Sequence, residues 1–201
     1  VSPTAMGGPF TEGSAWQYDF MVPYDTAGLE DTMTRPVLLG RLEQLFTRFA
    51  CTGKSLAFPN PYYWPSNEPD LFSGWMFAAA GDMTRAGRWL RWATLASYDE
   101  GPGGLCGNDD AGQISAWSVF AAMGFYPVNP VAPEYVFSAP LFERITIHTG
   151  NNNIATIIVH AGQQPGYIGS VKRNGKTYNA GFLSHADLMK GGTFDIYLHS
   201  K

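Results

Sequence analysis

Gly107-Asn108-Asp109-Asp110-Ala111-Gly112-Gln113 runs directly into a strongly apolar segment, Ile114 to Met123. Acid and amide oxygens are crowded between glycines at the entry to a helix. Carboxylates placed there face an open loop rather than a core. One reading is a catalytic base or a hard-cation site, because both need clustered oxygens on a backbone that can aim them inward. The other is a turn with an N-cap, which Asn and Asp also favour.

Working outward, Gly101-Pro102-Gly103-Gly104 breaks the chain ahead of this loop, and Gly124, Pro127 and Pro130 close the helix behind it. Residues 82–98 read as a further helix, with Met83, Ala86, Trp89, Leu90, Ala93 and Leu95 inward and Arg85, Arg88 and Arg91 forming a solvated stripe. Leu71 to Ala80 is an apolar helix that Gly81 caps. It follows an aromatic, Pro-rich loop, Phe58 to Pro65, and the sequence Ser66-Asn67-Glu68-Pro69-Asp70. A loop of that length without internal structure points to binding. Earlier still, Thr34-Arg35-Pro36 opens a core helix whose Val37, Leu38, Leu42, Leu45, Phe46 and Phe49 keep helical spacing.

Near the start, Met6-Gly7-Gly8-Pro9 marks a turn and Trp16 to Phe20 an aromatic helix that Pro23 ends. Glu12 sits at the loop-to-helix junction. Walled by Phe10 and Trp16, its carboxyl group would be desolvated and suited to general-acid work. The plainer reading is an acidic residue favoured by a helix N-terminus. Glu12, Glu68 and Asp110 each precede a helix, which is the pattern of an α/α toroid whose loops gather at one end.

From Glu134 the period changes to two. Tyr135 to Phe137, Arg144 to His148, Ala155 to His160, Tyr167 to Lys172 and Phe194 to His199 are β-rich, and Asn174-Gly175 is a hairpin turn signal. The expected architecture is α+β, with residues 1–130 helical and 131–201 a small antiparallel sheet or sandwich. All four His lie in the second part. Ser184-His185-Ala186-Asp187 is too local for a catalytic triad and reads as a capped turn.

Composition narrows the function. The 201 residues are 45% hydrophobic and 15% charged, enough for a substantial core. Residues 1–130 carry 13 acidic against 7 basic side chains and 131–201 carry 4 against 6, so neither part is a nucleic-acid surface. No apolar run reaches a membrane span, and Val1-Ser2-Pro3-Thr4 has no initiator Met or signal pattern. The chain is therefore expected to begin within a longer polypeptide or after processing. Six Trp and ten Tyr, mostly in the acidic part, suit a neutral polyhydroxylated ligand. Cys51 and Cys106 lack the neighbours of a zinc site; a disulfide between them is an open alternative that fits an oxidising compartment.

Taken in order, Thr11-Glu12-Gly13-Ser14-Ala15-Trp16-Gln17-Tyr18, Val22-Pro23-Tyr24-Asp25, Asn67-Glu68-Pro69, Gly107 through Pro130, Ser138 to Phe142 and Ser184 to Asp187 with Gly191-Gly192 resemble glycoside hydrolase family 92. The resemblance covers essentially the whole chain. It implies a calcium-dependent, inverting exo-α-mannosidase of the α-1,2-mannosidase type, secreted or periplasmic, acting on a mannose-containing glycan. It further implies the last part of an (α/α)6 catalytic barrel, followed by strands and completed by an N-terminal part that this sequence lacks. By the same resemblance Glu12 matches the general acid and Asp110 the general base. Asn108 falls where some relatives carry an acid that assists the base, so that help would come from Asn108 itself or from Asp109. Asn67, Glu68 and Gln113 are the oxygen donors proposed for Ca2+, and Trp16, Trp64, Asn67 and Glu68 are the residues proposed to bind substrate. With only part of a toroid present, Leu38, Leu42, Leu45 and Phe49, and Trp117 with Phe120, are expected to be left uncovered. Two rival readings remain: a non-catalytic carbohydrate-binding fragment, and an α/α-barrel glycosidase or lyase acting on another sugar.

Overall fold

The computed structural model describes residues 2–50, 59–150, 152–162 and 166–200. Seven helices come first: α1 (Ala15–Tyr18), α2 (Thr26–Met33), α3 (Arg35–Ala50), α4 (Glu68–Leu71), α5 (Ser73–Ala79), α6 (Met83–Ser97) and α7 (Gln113–Met123). Eight strands and one helix follow: β1 (Phe125–Tyr126), β2 (Glu134–Phe137), β3 (Arg144–His148), β4 (Ile154–His160), β5 (Tyr167–Arg173), β6 (Lys176–Tyr178), β7 (Phe182–Ser184), α8 (His185–Lys190) and β8 (Gly192–His199). The α+β class is as the sequence predicts.

The helical layer has an aromatic core. Leu38, Leu42, Leu45, Phe46 and Phe49 of α3 are buried, and the Phe46 ring stacks on Tyr63 at 4.2 Å and on Trp89 at 5.0 Å. Trp75 stacks on Tyr126 and Tyr98 on Trp117, whose Nε1 donates to the Leu71 carbonyl at 2.9 Å. Most of the Trp residues are thus structural. The faces expected to lie open are covered within the chain: Leu38 and Trp117 are 0% and 1% exposed. Open apolar surface lies elsewhere, at Val119 and Phe142.

Helix ends follow their residues. In α6 the Asp82 side chain accepts from the Arg85 N–H, and Gly81 before it has φ +81°. Helix α6 is rotated so that it buries Ala86, Gly87, Trp89, Leu90, Ala93, Thr94 and Ser97, with Gly87 against the backbone at Gly166 and Tyr167. That rotation corrects one expectation, since Leu95 points outward. Arg85 and Arg88 are not merely solvated; both pair with Glu43, which also accepts from Trp89 Nε1.

Two sheets follow the helices. The smaller has the order β1-β2-β7 and the larger β3-β4-β8-β5-β6. The larger sheet is mixed rather than wholly antiparallel, because β8 enters between β4 and β5 and runs parallel to β4. Asn174 and Gly175, both at positive φ, turn β5 into β6 as predicted. The small sheet is a middle layer. Tyr126, Val136 and Phe182 face the helical core, while Phe125, Phe137 and Leu183 face the larger sheet with Ile157, Ile168, Val171, Phe194 and Ile196. The division expected between residues 130 and 131 therefore falls between two paired strands, with Phe125 opposite Phe137.

Gly124 joins α7 to this middle layer at φ +81°, and a Cβ there would lie 2.6 Å from Pro140 Cγ and 2.7 Å from the Ser138 carbonyl oxygen. Gly124→Ala combines left-handed backbone strain with overpacking and should destabilise the protein by about 2–4 kcal/mol in chemical denaturation. An unchanged denaturation midpoint would show that the joint yields easily.

Candidate active site

Three loops that are distant in sequence meet through named contacts. Asn67 Nδ2 donates to the backbone carbonyl of Glu12 at 2.8 Å. Asn67 is the residue preceding α4, yet its side chain makes no cap bond, being spent on the Glu12 loop instead. Next to it, Ser66 lies so close to Gly107 that any Cβ at 107 would overlap the Ser66 side chain. Glycine at 107 is what allows the loop leading into Asn108-Asp109-Asp110 to sit against Ser66, the neighbour of Asn67. Glu12, Glu68 and Asp110 are thereby carried on one connected set of loops.

The two carboxylates assigned as acid and base share a backbone feature. Glu12 has φ 54° and Asp110 φ 45°, with Ala111 at 59° after it. Left-handed backbone at residues other than glycine costs of order 1–3 kcal/mol and collects where side-chain aim matters. Both side chains are exposed. Among the described residues, the side chains of Glu12, Glu68, Asn108, Asp110 and Gln113 make no hydrogen bond or ion pair. They are available to a ligand.

Asp109 behaves differently. Its Oδ1 accepts from the Ser115 N–H at 2.8 Å and its Oδ2 from the Ser115 hydroxyl at 3.0 Å, which commits both oxygens to holding the first turn of α7. Asp109 follows the turn-and-cap reading of the 107–113 loop, while Asp110 is left exposed and without a partner among the described residues. Asn108, exposed and unpartnered, is left as the group beside Asp110.

Glu12 is not enclosed between Phe10 and Trp16. Phe10 lies 5.1 Å from Tyr18, whose hydroxyl donates to the Thr11 carbonyl at 2.6 Å. Trp16 is turned into the core, only 9% exposed, with the Arg48 and Arg41 guanidinium groups at 5.0 and 5.5 Å from its ring and Tyr62 at 6.2 Å. Its ring braces the 59–64 loop and has little surface for a ligand. Trp64 is half-buried. Its Nε1 is shielded and has no acceptor among the described residues. The Cys51–Cys106 pairing lies outside the described residues, since Cys51 is not among them. Burial pushes the Cys106 thiol up to about 11, which makes it a poor nucleophile at neutral pH.

Sequence reasoning missed the group beneath these loops. Asp70 is completely buried, and its Oδ2 accepts from the Trp64 N–H at 2.7 Å and from Gln17 Nε2 at 3.0 Å. Burial pushes its carboxyl up to about 8, against those hydrogen bonds, which favour the charged form. Gln17 is shared: Nε2 also reaches the Asn60 and Tyr62 carbonyls, and Oε1 accepts from the Ser14 N–H. The Ser14–Gln17 half of this hub was readable as a capping box, Ser followed three residues later by Gln. No sequence signal marks Asp70 as buried.

Of the candidate residues, Glu12, Asn108 and Asp110 are exposed, Glu68 and Gln113 half-buried and Asn67 buried. The 230 Å³ hollow beside Tyr24, Asp25 and Glu134 is lined by other residues. Among the described residues no three His, Cys, Asp or Glu side chains converge as a metal cluster, so a cation held here would rely on amide, carbonyl and water oxygens as well.

Comparison with known proteins bears on this arrangement. The family model described as the glycosyl hydrolase family 92 catalytic domain matches residues 1–200. A family GH92 alpha-mannosidase from Bacteroides thetaiotaomicron, in complex with mannoimidazole, superposes with a TM-score of 0.87 at 27% identity, over 100% of this chain and 28% of that one. A family GH92 inverting mannosidase from the same organism gives 0.84 at 28% identity, over 100% and 29%. An uncharacterized secreted glycosidase from Arthroderma benhamiae is 26% identical over 192 residues, covering 93% of this chain and 23% of the relative. The chain spans about a quarter of the length of these relatives.

Proposed function

Because the chain belongs to glycosyl hydrolase family 92, we propose that it carries the acid and the base of an enzyme that removes terminal α-linked mannose from glycans with inversion. Glu12, protonated, gives its proton to the departing glycosidic oxygen as the C1–O bond breaks. Asp110, ionised, takes a proton from the water that attacks C1 on the opposite face. One observation supports this reading: the Glu12 and Asp110 loops are tied to the same Ser66-Asn67 segment, and neither carboxylate has a partner among the described residues.

Calcium fits the oxygens on offer. Asn67 spends its NH2 on Glu12 and keeps its Oδ1, while Glu68 and Gln113 have no partner among the described residues, giving a hard donor set of low charge. Asn67, Glu68 and Gln113 would hold the ion, which when bound would supply positive charge to polarise the sugar hydroxyls. The role of the chain's residues is to hold the sugar ring in place between acid and base. Asn108 stands beside Asp110 to orient water by its amide. The helical layer is read as part of an (α/α)6 barrel; the secreted or periplasmic location is drawn from the substrate class, and the printed name of the Arthroderma benhamiae relative supports secretion.

The test is turnover of an α-mannoside followed by NMR, with and without chelator. The first product is expected to be β-mannose, activity should vanish on chelation and return with calcium, and zinc should not substitute. An α-anomer as first product sinks inversion, full activity after exhaustive chelation sinks the calcium assignment, and no mannoside turnover favours the carbohydrate-binding reading.

A further inference from the structure

The contacts around Asp70 close a circuit through the candidate acid. Glu12 is gripped at its carbonyl by Asn67. Three residues before Asn67, the Trp64 N–H is held by Asp70 Oδ2. The same oxygen accepts from Gln17, whose Oε1 accepts from the N–H of Ser14, two residues after Glu12. Ser14 Oγ in turn donates to the Pro61 carbonyl at 2.8 Å. Every bond in the loop is a side chain holding a backbone group or another side chain, with Asp70 and Gln17 at 0% exposure.

We propose that Asp70 is a positioning residue, which through Gln17 and Trp64 fixes the left-handed turn that aims Glu12. This rests on the reading of Glu12 as general acid. What the circuit needs of residue 70 is an oxygen accepting two N–H donors, while Oδ1 faces only the Ser73 hydroxyl at 3.4 Å. A hydroxyl both donates and accepts. An asparagine can therefore place its amide oxygen toward Gln17 and Trp64 and its NH2 toward Ser73. A leucine, similar in size, leaves both donors without that acceptor. The expected order is Asp and Asn functional, Leu impaired.

The experiment compares Asp70→Leu and Asp70→Asn with the wild type, in the full-length protein, by kinetics and by amide hydrogen exchange. Asp70→Leu should lower turnover of a mannoside with a poor leaving group at least tenfold more than that of an activated aryl mannoside, since only the former depends on a well-aimed acid. It should also speed exchange at residues 12–17 and 64–67 together, and Asp70→Asn should restore both readouts. A loss of folded protein alone would reduce both substrates equally. Equal losses on both substrates, unaltered exchange at 12–17, or an asparagine variant as impaired as leucine would each overturn the proposal. Where Asp70→Leu does not fold, Gln17→Met removes the same contact from its other end, and wild-type behaviour of that variant counts against the circuit. A wild-type protein without mannoside turnover would refute the acid role of Glu12, while the exchange measurement still decides whether Asp70 holds the turn.

Discussion

Glu12→Gln is expected to lower turnover of a mannose disaccharide by about 10²–10⁴-fold, the usual contribution of a positioned general acid. A mannoside with an activated phenolate leaving group should lose far less, because its oxygen departs without a proton. The substitution is a clean probe here. Glu12 sits at φ 54°, its backbone is gripped by Asn67 through the carbonyl, and its side chain has no partner among the described residues. Exchanging one carboxyl oxygen for an NH2 alters chemistry without removing a structural bond. Steady-state kinetics on the two substrates decides the matter, and equal losses would take Glu12 out of the acid role.

Asp110→Asn should give the complementary pattern. Water must be activated whatever the leaving group, so a loss of about 10²–10⁴-fold is expected on both substrates. Azide needs no deprotonation and should recover part of the activity on the activated substrate, giving the β-mannosyl azide. The backbone again favours the comparison, because Asn tolerates the left-handed region that Asp110 occupies at φ 45°. Were Asp109 the base instead, Asp109→Asn would show the same kinetics. Its two bonds to Ser115 predict a different outcome, loss of the first turn of α7 and a lower melting temperature.

The parts legible in the sequence were those where one residue's neighbours in sequence are also its neighbours in space. Helix α3 announced itself by apolar spacing, the β5–β6 turn by Asn174-Gly175, and the end of α7 by Gly124. Helix α2 escaped notice because it buries no residue and has only the Asp25 cap as a signal. In the candidate site, the acid-rich loops were visible as composition, and which of two adjacent acids is spent on a cap was not. Asp109 and Asp110 differ only in what Ser115 reaches. Trp16 and Asp70 show the same limit from two sides. An aromatic ring in a sugar-suited composition is packed among arginines, and a carboxylate at the start of a helix is the most deeply buried acid beneath the site.

The middle sheet constrains how this region can be exchanged between proteins. Its strands β1 and β2 precede the larger sheet in the chain, whereas β7 is threaded through it, between β6 and β8. No single crossover point separates the helical layer from the β layers. A chimera joined at residue 130 would take one strand from one parent and two from the other, and Tyr126, Val136 and Phe182 would have to fit a foreign helical core while Phe125, Phe137 and Leu183 fit their own sheet. Recombination should therefore succeed only when the three strands of the middle sheet travel together with the helices they pack on, since Tyr126 stacks on Trp75 of α5.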